Sequence, residues 1–288
     1  MWRKLCWSLV LIWGAVAVSQ VPGPVSLRGP VDVALDSSHR RVVVLDMVDN
    51  TLNAVDLSGG PVQVLVSLGP QEQRLDPRAL ELRDGMAYVV GRIGRLLAVD
   101  LDTGAARVIT DQLRVAVGVA LLPDGQTALV TELGGTLARV DLASGQIQRL
   151  VRGLVAPTDV AVTADGTAAV VADNDGDRLV VVDLQGDTLR VVGAGLDRPA
   201  GVALASDGQM AYVVEQLSGR LVQVDLSSDS STTVLTGLSF PVKVILNPEN
   251  TLAYVVERGS ELITEVNIDP NSPGFGTSLS LNRAKEEL

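Results

Sequence analysis

The tripeptide Val-Asp-Leu returns at a step of about 42 residues along most of this chain, and no other feature limits its possible folds as strongly. It stands at Val55-Asp56-Leu57, Val99-Asp100-Leu101, Val140-Asp141-Leu142, Val182-Asp183-Leu184 and Val224-Asp225-Leu226, and degenerates to Val266-Asn267-Ile268. A proline precedes each copy, at Pro30, Pro77, Pro157, Pro199 and Pro241, with Ala116 in its place in the third. A period of this length is the mark of stacked or radially arranged supersecondary units.

The interior of one copy says which kind. In the third, the apolar runs are Gly118 to Leu122, Ala128 to Thr131, Thr136 to Leu142 and Gln146 to Val151. Asp124-Gly125 and Ser144-Gly145 are turns between them. These lengths and the wealth of valine suit strands, and Asp84-Gly85, Asp165-Gly166 and Asp207-Gly208 repeat the first turn. Four antiparallel strands per unit, six times over, predict an all-β, six-bladed β-propeller spanning 20–282. The fourth strand of the last blade is hard to see after Asp269. Val21 to Arg28 is the favoured candidate to supply it and close the ring, with Gly276 to Leu281 as the alternative.

Residues 1–19 have the layout of a secretory signal: Arg3 and Lys4, a weakly polar run from Leu5 to Val18, and small residues Ala17 and Ser19 at the expected cleavage point. The reading predicts an extracytoplasmic protein, periplasmic or secreted, with no membrane attachment after cleavage. Trp2, Trp7, Trp13 and Cys6 are the only residues of their kinds, so the mature chain would have neither disulfides nor a cysteine nucleophile. The net charge is −11 and becomes more negative once Arg3 and Lys4 are removed, which argues against a nucleic-acid partner. Residues 283–288 read as a flexible tail, and the chain as a monomer.

Val171-Ala172-Asp173-Asn174-Asp175-Gly176-Asp177-Arg178-Leu179 resembles the NHL repeat. Pro199-Ala200-Gly201-Val202-Ala203, with Asp207-Gly208 and Ala211-Tyr212-Val213-Val214, is similar to the YVTN repeat of bacterial surface and periplasmic propellers. The likeness covers about 30–269 and implies the propeller, not a chemistry, since such families include scaffolds, lactonases and lyases. Gluconolactonase-like propellers, related by architecture, imply a divalent metal in the central channel.

Sixteen places after each marker the sequence reads Asp46, Glu132, Asp173, Glu215 and Glu257, with Gly91 in the second copy. Such a column would converge on one face, as an acidic ligand surface or as a calcium site drawn from Glu132, Asp159, Asp173 and Glu215. Its bland alternative is capping of local backbone N–H groups. Two places after each marker the usual small residue gives way to Asp32, Asp159 and Lys243. With Arg78, one place after its proline, these are candidates for a pocket on the axis; a surface ion pair between Lys243 and Asp32 is the alternative. Asp173, Asp175 and Asp177 do not complete an EF-hand loop, because Arg178 and Leu184 occupy the positions that need glycine and glutamate. His39, the sole histidine, falls on the turn opposite the acidic column and excludes a two-histidine site.

The functional expectation is a binding scaffold presenting its acidic face to a protein or glycan partner, or a small molecule at the channel. The alternative is a calcium-dependent lactonase or hydrolase with carboxylates at the channel mouth. A non-catalytic accessory role in a secreted pathway is a third reading.

Overall fold

Each repeat forms one blade in the computed structural model, which describes residues 24–69, 75–186 and 188–282. The segment read as a signal, 1–19, and the tail 283–288 lie outside the described residues. Blade four shows the pattern: Pro157–Val162 innermost, then Ala168–Asp173, Arg178–Asp183 and Leu189–Val192 outermost, each antiparallel to its neighbour. The innermost strands of the other blades are Pro30–Asp36, Pro77–Arg83, Ala116–Leu121, Pro199–Leu204 and Pro241–Leu246. Among the described residues no helix is long and apolar enough to cross a membrane.

The strands are apolar runs instead of alternating patterns because both faces of every blade are covered. In the second strand of blade four, Ala169 and Val171 face the core shared with blade three, while Val170 and Ala172 face the core shared with blade five. Six such cores separate six blades. They are centred on Leu45 with Leu80, Leu96 with Val130, Leu137 with Val171, Leu179 with Val213, Leu221 with Val255, and Ile263 with Val44. The last of these joins blade six to blade one, so the ring is closed. Each fully buried leucine or valine contributes about 1.5–3 kcal/mol, which is how a chain without disulfides holds its wheel together.

Closure differs from the favoured expectation. Pro24–Val25 pairs with Val62–Ser67 and adds a fifth strand outside blade one, whereas Ser278–Ser280 pairs with Leu262–Asn267 as the fourth strand of blade six. The chain makes two consecutive turns after Asp269, through Ser272 and Phe275, and reverses at Gly276 with φ of 77°. That detour breaks the 42-residue rhythm and hides the strand from a periodic reading. Among the described residues no strand is exchanged across the seam; Leu27, Leu281, Val33, Tyr254 and Ile263 close it by packing.

The first hairpin turn differs among the blades. Asp84 and Gly85 both have positive φ, 50° and 75°, as a two-residue turn with right-handed twist requires. In the third, fourth and fifth blades only Gly125, Gly166 and Gly208 do, and the loop is longer.

Candidate functional site

The column of acids lies inside the blades. Asp46 accepts from the Arg28 and Gly29 N–H groups through Oδ2 and from Val48 and Asp49 through Oδ1. Asp173 Oδ1 accepts from Val155 and Ala156 at 2.7 and 3.0 Å, and its Oδ2 takes the Arg178 guanidinium at 2.9 Å. Glu132 pairs with Arg149 and accepts from the Arg114 N–H; Glu215 pairs with Arg220 and accepts from the Asp197 N–H. Glu257 accepts from the Ser239 N–H and from the Thr264 and Ser260 hydroxyls. Each acid thus clamps the loop that delivers the chain to its own innermost strand. Gly91 interrupts the column because a Cβ there would meet the Leu75 carbonyl oxygen at 2.1 Å.

The expected acidic rim is therefore corrected: these carboxylates are buried and spent on donors within their own blades. Glu132, Asp173 and Glu215, expected with Asp159 as calcium ligands, are each engaged by donors of their own blade. Among the described residues no three acidic, histidine or cysteine side chains are grouped as metal ligands would be.

Surface acids gather instead at the opposite end, where Asp56, Asp100, Asp141, Asp183 and Asp225 close the third strands and Asp84, Asp124, Asp165 and Asp207 occupy the first turns. Most are held by local donors. The Ser227 hydroxyl, with the Ser227 and Ser228 N–H groups, holds the Asp225 carboxyl down at about 2.

The repeat-breaking residues do meet on the axis. Lys243, the only lysine among the described residues, donates to Asp159 Oδ1 at 2.9 Å and lies 3.5 Å from Asp32 Oδ1. All three are buried, so the pairing expected at the surface is an interior cluster, and it includes blade four as well as blade one. The free oxygens tie neighbouring blades: Asp32 Oδ2 accepts from Leu80 N–H in blade two, and Asp159 Oδ2 from Val202 N–H in blade five. The equivalent glycines make room for this. A Cβ on Gly201 would lie 2.7 Å from Lys243 Cα, and one on Gly118 would lie 2.9 Å from Asp159 Cα.

Burial pushes the Asp32 carboxyl up to about 7, against the pull of Lys243 and with the help of Asp159. Burial works against the charge of Lys243 too, but Asp159 and Asp32 outweigh it and hold the ammonium above its ordinary value. An acid raised in the folded state binds more protons there than in the unfolded chain, so the Asp32 contribution to stability falls as pH rises from about 4 to about 7.

The cluster divides the channel. Above it is a cavity of about 160 Å³ whose wall takes one residue from each blade: Val31, Arg78, Val117, Thr158, Ala200 and Val242. Gln216 and Arg258 overhang it, and neither side chain has a hydrogen-bond or ion-pair partner among the described residues. Arg78 reaches Asp76 at 3.0 Å, while its Nε is buried without a partner. Burial lowers the Arg78 pKa; Asp76 opposes this, and the nearby Arg92 and Arg258 add to it. Arg78 and Arg92 thus share the Asp76 carboxylate at this mouth, and Arg258 adds a third guanidinium beside them. Around it Ile93, Val115, Val155, Leu217 and Phe240 are exposed, and Val115 and Phe240 carry φ values of 42° and 51°, unusual for such side chains.

Below the cluster a wider funnel of about 350 Å³ opens on the acidic end, lined by aliphatic residues, Glu81 and Lys243, with Ser206, Asn247 and Asn250 adding polar groups. Sequence reasoning missed Glu81, Gln216 and Arg258. The first was within reach, since four places after each marker the chain reads Ala34, Glu81, Ala120, Ala161, Ala203 and Ile245.

His39 contacts Asp36 at 2.8 Å and Ser38 at 3.0 Å, but both through Nδ1. A catalytic relay needs the hydroxyl on the other ring nitrogen, so this trio is an exposed turn and not a triad.

No family model matches the chain, and no curated protein matches it. Solved structures do. A streptogramin B lyase superposes with a TM-score of 0.66 at 13% identity, covering 95% of this chain and 89% of that one. Virginiamycin B lyase from Staphylococcus aureus gives 0.65 at 13%, covering 93% and 89%. The nidogen/laminin complex gives 0.69 at 14%, covering 82% and 91%. These neighbours are six-bladed propellers, and at such identity they share the fold alone. The NHL and YVTN likeness of the repeats likewise goes no further than architecture.

Proposed function

We propose that this protein is a binding propeller that docks a protein partner on its arginine-bearing face and receives a carboxylate of that partner at the channel mouth. The observation that carries the reading is the set of unspent donors around the 160 Å³ cavity: Arg258 and Gln216, whose side chains have no partner among the described residues, and Arg78 with a buried, unpaired Nε. A guanidinium in a partly desolvated concavity binds a carboxylate more strongly than one in open solvent. The flanking Ile93, Leu217 and Phe240 add the exposed apolar surface that, together with arginine, characterises the energetic centre of protein interfaces. With residues 1–19 read as a signal, the encounter takes place outside the cytoplasm. The cavity is smaller than the roughly 300–1,000 Å³ of small-molecule sites, which suits the tip of a larger ligand. A hydrolase would need a base and an activated nucleophile at this mouth, and the acids near it are occupied as described above.

Calorimetric titration with a hexaglutamate peptide tests this, with hexaglutamine as the neutral control. The expected result is one binding event that weakens with salt and weakens about tenfold or more in Arg258→Ala and in Arg78→Ala. Equal binding of the two peptides, unchanged affinity in both variants, or no heat at millimolar peptide would overturn it.

A further inference from the structure

The funnel on the acidic end is independent of the arginine mouth, being separated from it by the Lys243 cluster, and has the opposite chemistry. Its walls come from consecutive innermost strands: Ala120 and Leu121 of blade three, Val160 to Val162 of blade four, Val202 to Leu204 of blade five, and Val244 to Leu246 of blade six. Blade two contributes Glu81, the one acid among the lining residues. Its side chain is partly buried, yet its carboxyl makes no hydrogen bond and no ion pair among the described residues, where a carboxylate drawn out of water normally recruits donors. The nearest charged groups do not neutralise it. Lys243, at the head of the funnel, already serves Asp159 and Asp32, and Arg83 turns its guanidinium away to the Leu122 and Pro123 carbonyls. Asp32, Asp159 and Glu81 thus face a single ammonium.

We propose that this funnel is a binding site for a small organic cation, an ammonium or guanidinium on an apolar body, with Glu81 as the counter-ion and the aliphatic walls taking the body. The volume of about 350 Å³ is that of a small-molecule site. The ring of aspartates around the opening, at Asp84, Asp124, Asp165 and Asp207, concentrates cations at the entrance. The five other residues of the Glu81 column are Ala34, Ala120, Ala161, Ala203 and Ile245, so at this level of the funnel the negative charge is supplied once, from one side.

Burial pushes the Glu81 carboxyl up to about 7, with Lys243 lowering it and Asp32 and Asp159 raising it. A cation binds the ionised form, so affinity rises with pH and binding releases a proton near neutrality.

Titration with phenethylammonium chloride, followed by calorimetry in two buffers of different ionisation enthalpy, tests the proposal. The expected result is one site, an affinity about tenfold higher at pH 8 than at pH 6, buffer-dependent heat from proton release, and at least tenfold weaker binding in Glu81→Gln. That variant removes an unpaired charge and is expected to fold. Arg78→Ala is expected to leave phenethylammonium binding unchanged, which separates this site from the arginine mouth. No heat at 10 mM ligand and pH 8, or wild-type affinity in Glu81→Gln, would overturn the assignment, as would equal affinity at the two pH values.

Discussion

Lys243→Met is expected to cost about 3–5 kcal/mol of stability at pH 8 and clearly less at pH 5. The substitution roughly preserves volume and leaves Asp32 and Asp159 buried without their shared cation. An uncompensated interior charge costs more than the pair ever contributed, which is why the effect exceeds that of an ordinary surface ion pair. The pH dependence follows from Asp32. Its carboxyl already stands at about 7 beside the ammonium, and loss of Lys243 pushes it higher still; at pH 5 it is protonated at little cost and one of the two charges is gone, whereas at pH 8 the folded chain must either hold that proton or bury a second unpaired charge, and both cost stability. Urea unfolding followed by circular dichroism at the two pH values measures this. Combining Lys243→Met with Asp32→Asn and Asp159→Asn is expected to recover most of the loss, because the asparagine oxygens still accept from the Leu80 and Val202 N–H groups. An equal loss below about 1 kcal/mol at both pH values would mean that the cluster is solvated.

Asp173→Ala is expected to destabilise by about 3 kcal/mol. It strips the Val155 and Ala156 N–H groups of their acceptor and leaves Arg178 without its partner. Asp173→Asn is expected to cost less, since one oxygen remains for the two N–H groups, but its amide would face the Arg178 guanidinium. An exposed ligand carboxylate would behave differently, with substitution changing stability by less than about 0.5 kcal/mol. Thermal and urea unfolding of the two variants therefore separates an architectural column from a binding surface.

The contrast between these two sets of residues shows what the sequence made legible. Strand positions, blade number and turn sites follow from a period that each of the six copies repeats, because every blade solves the same packing problem against two neighbours. The axial trio was legible as well, since Asp32, Asp159 and Lys243 interrupt a column of small residues. Their burial was not, because a repeat alignment fixes the height of a side chain along its blade without saying how far it reaches across the ring. The acidic column misled for a related reason. Asp46, Glu132, Asp173, Glu215 and Glu257 share a level near one face, but whether a carboxylate at that level points to solvent or back to its own loop depends on donors eighteen residues upstream, such as the Asp197 and Ser239 N–H groups. Gln216 and Arg258 share the position one place past the acidic column, but that position reads Met47, Leu133 and Asn174 in other copies, so its variability hid them. The last outer strand was hidden by the detour through Pro270 and Gly276.

Residues that break the repeat on three different blades form one coupled unit on the axis. A double-mutant cycle between Lys243→Met and Asp159→Asn measures this directly. Blade six and blade four are not neighbours in the ring, and the direct link between these side chains is the Lys243–Asp159 hydrogen bond across the channel. A coupling of about 2 kcal/mol or more at pH 8 is the expected result. Additivity within about 0.5 kcal/mol would show that the two side chains do not meet, and would remove the partition that sets the arginine mouth apart from the acidic funnel.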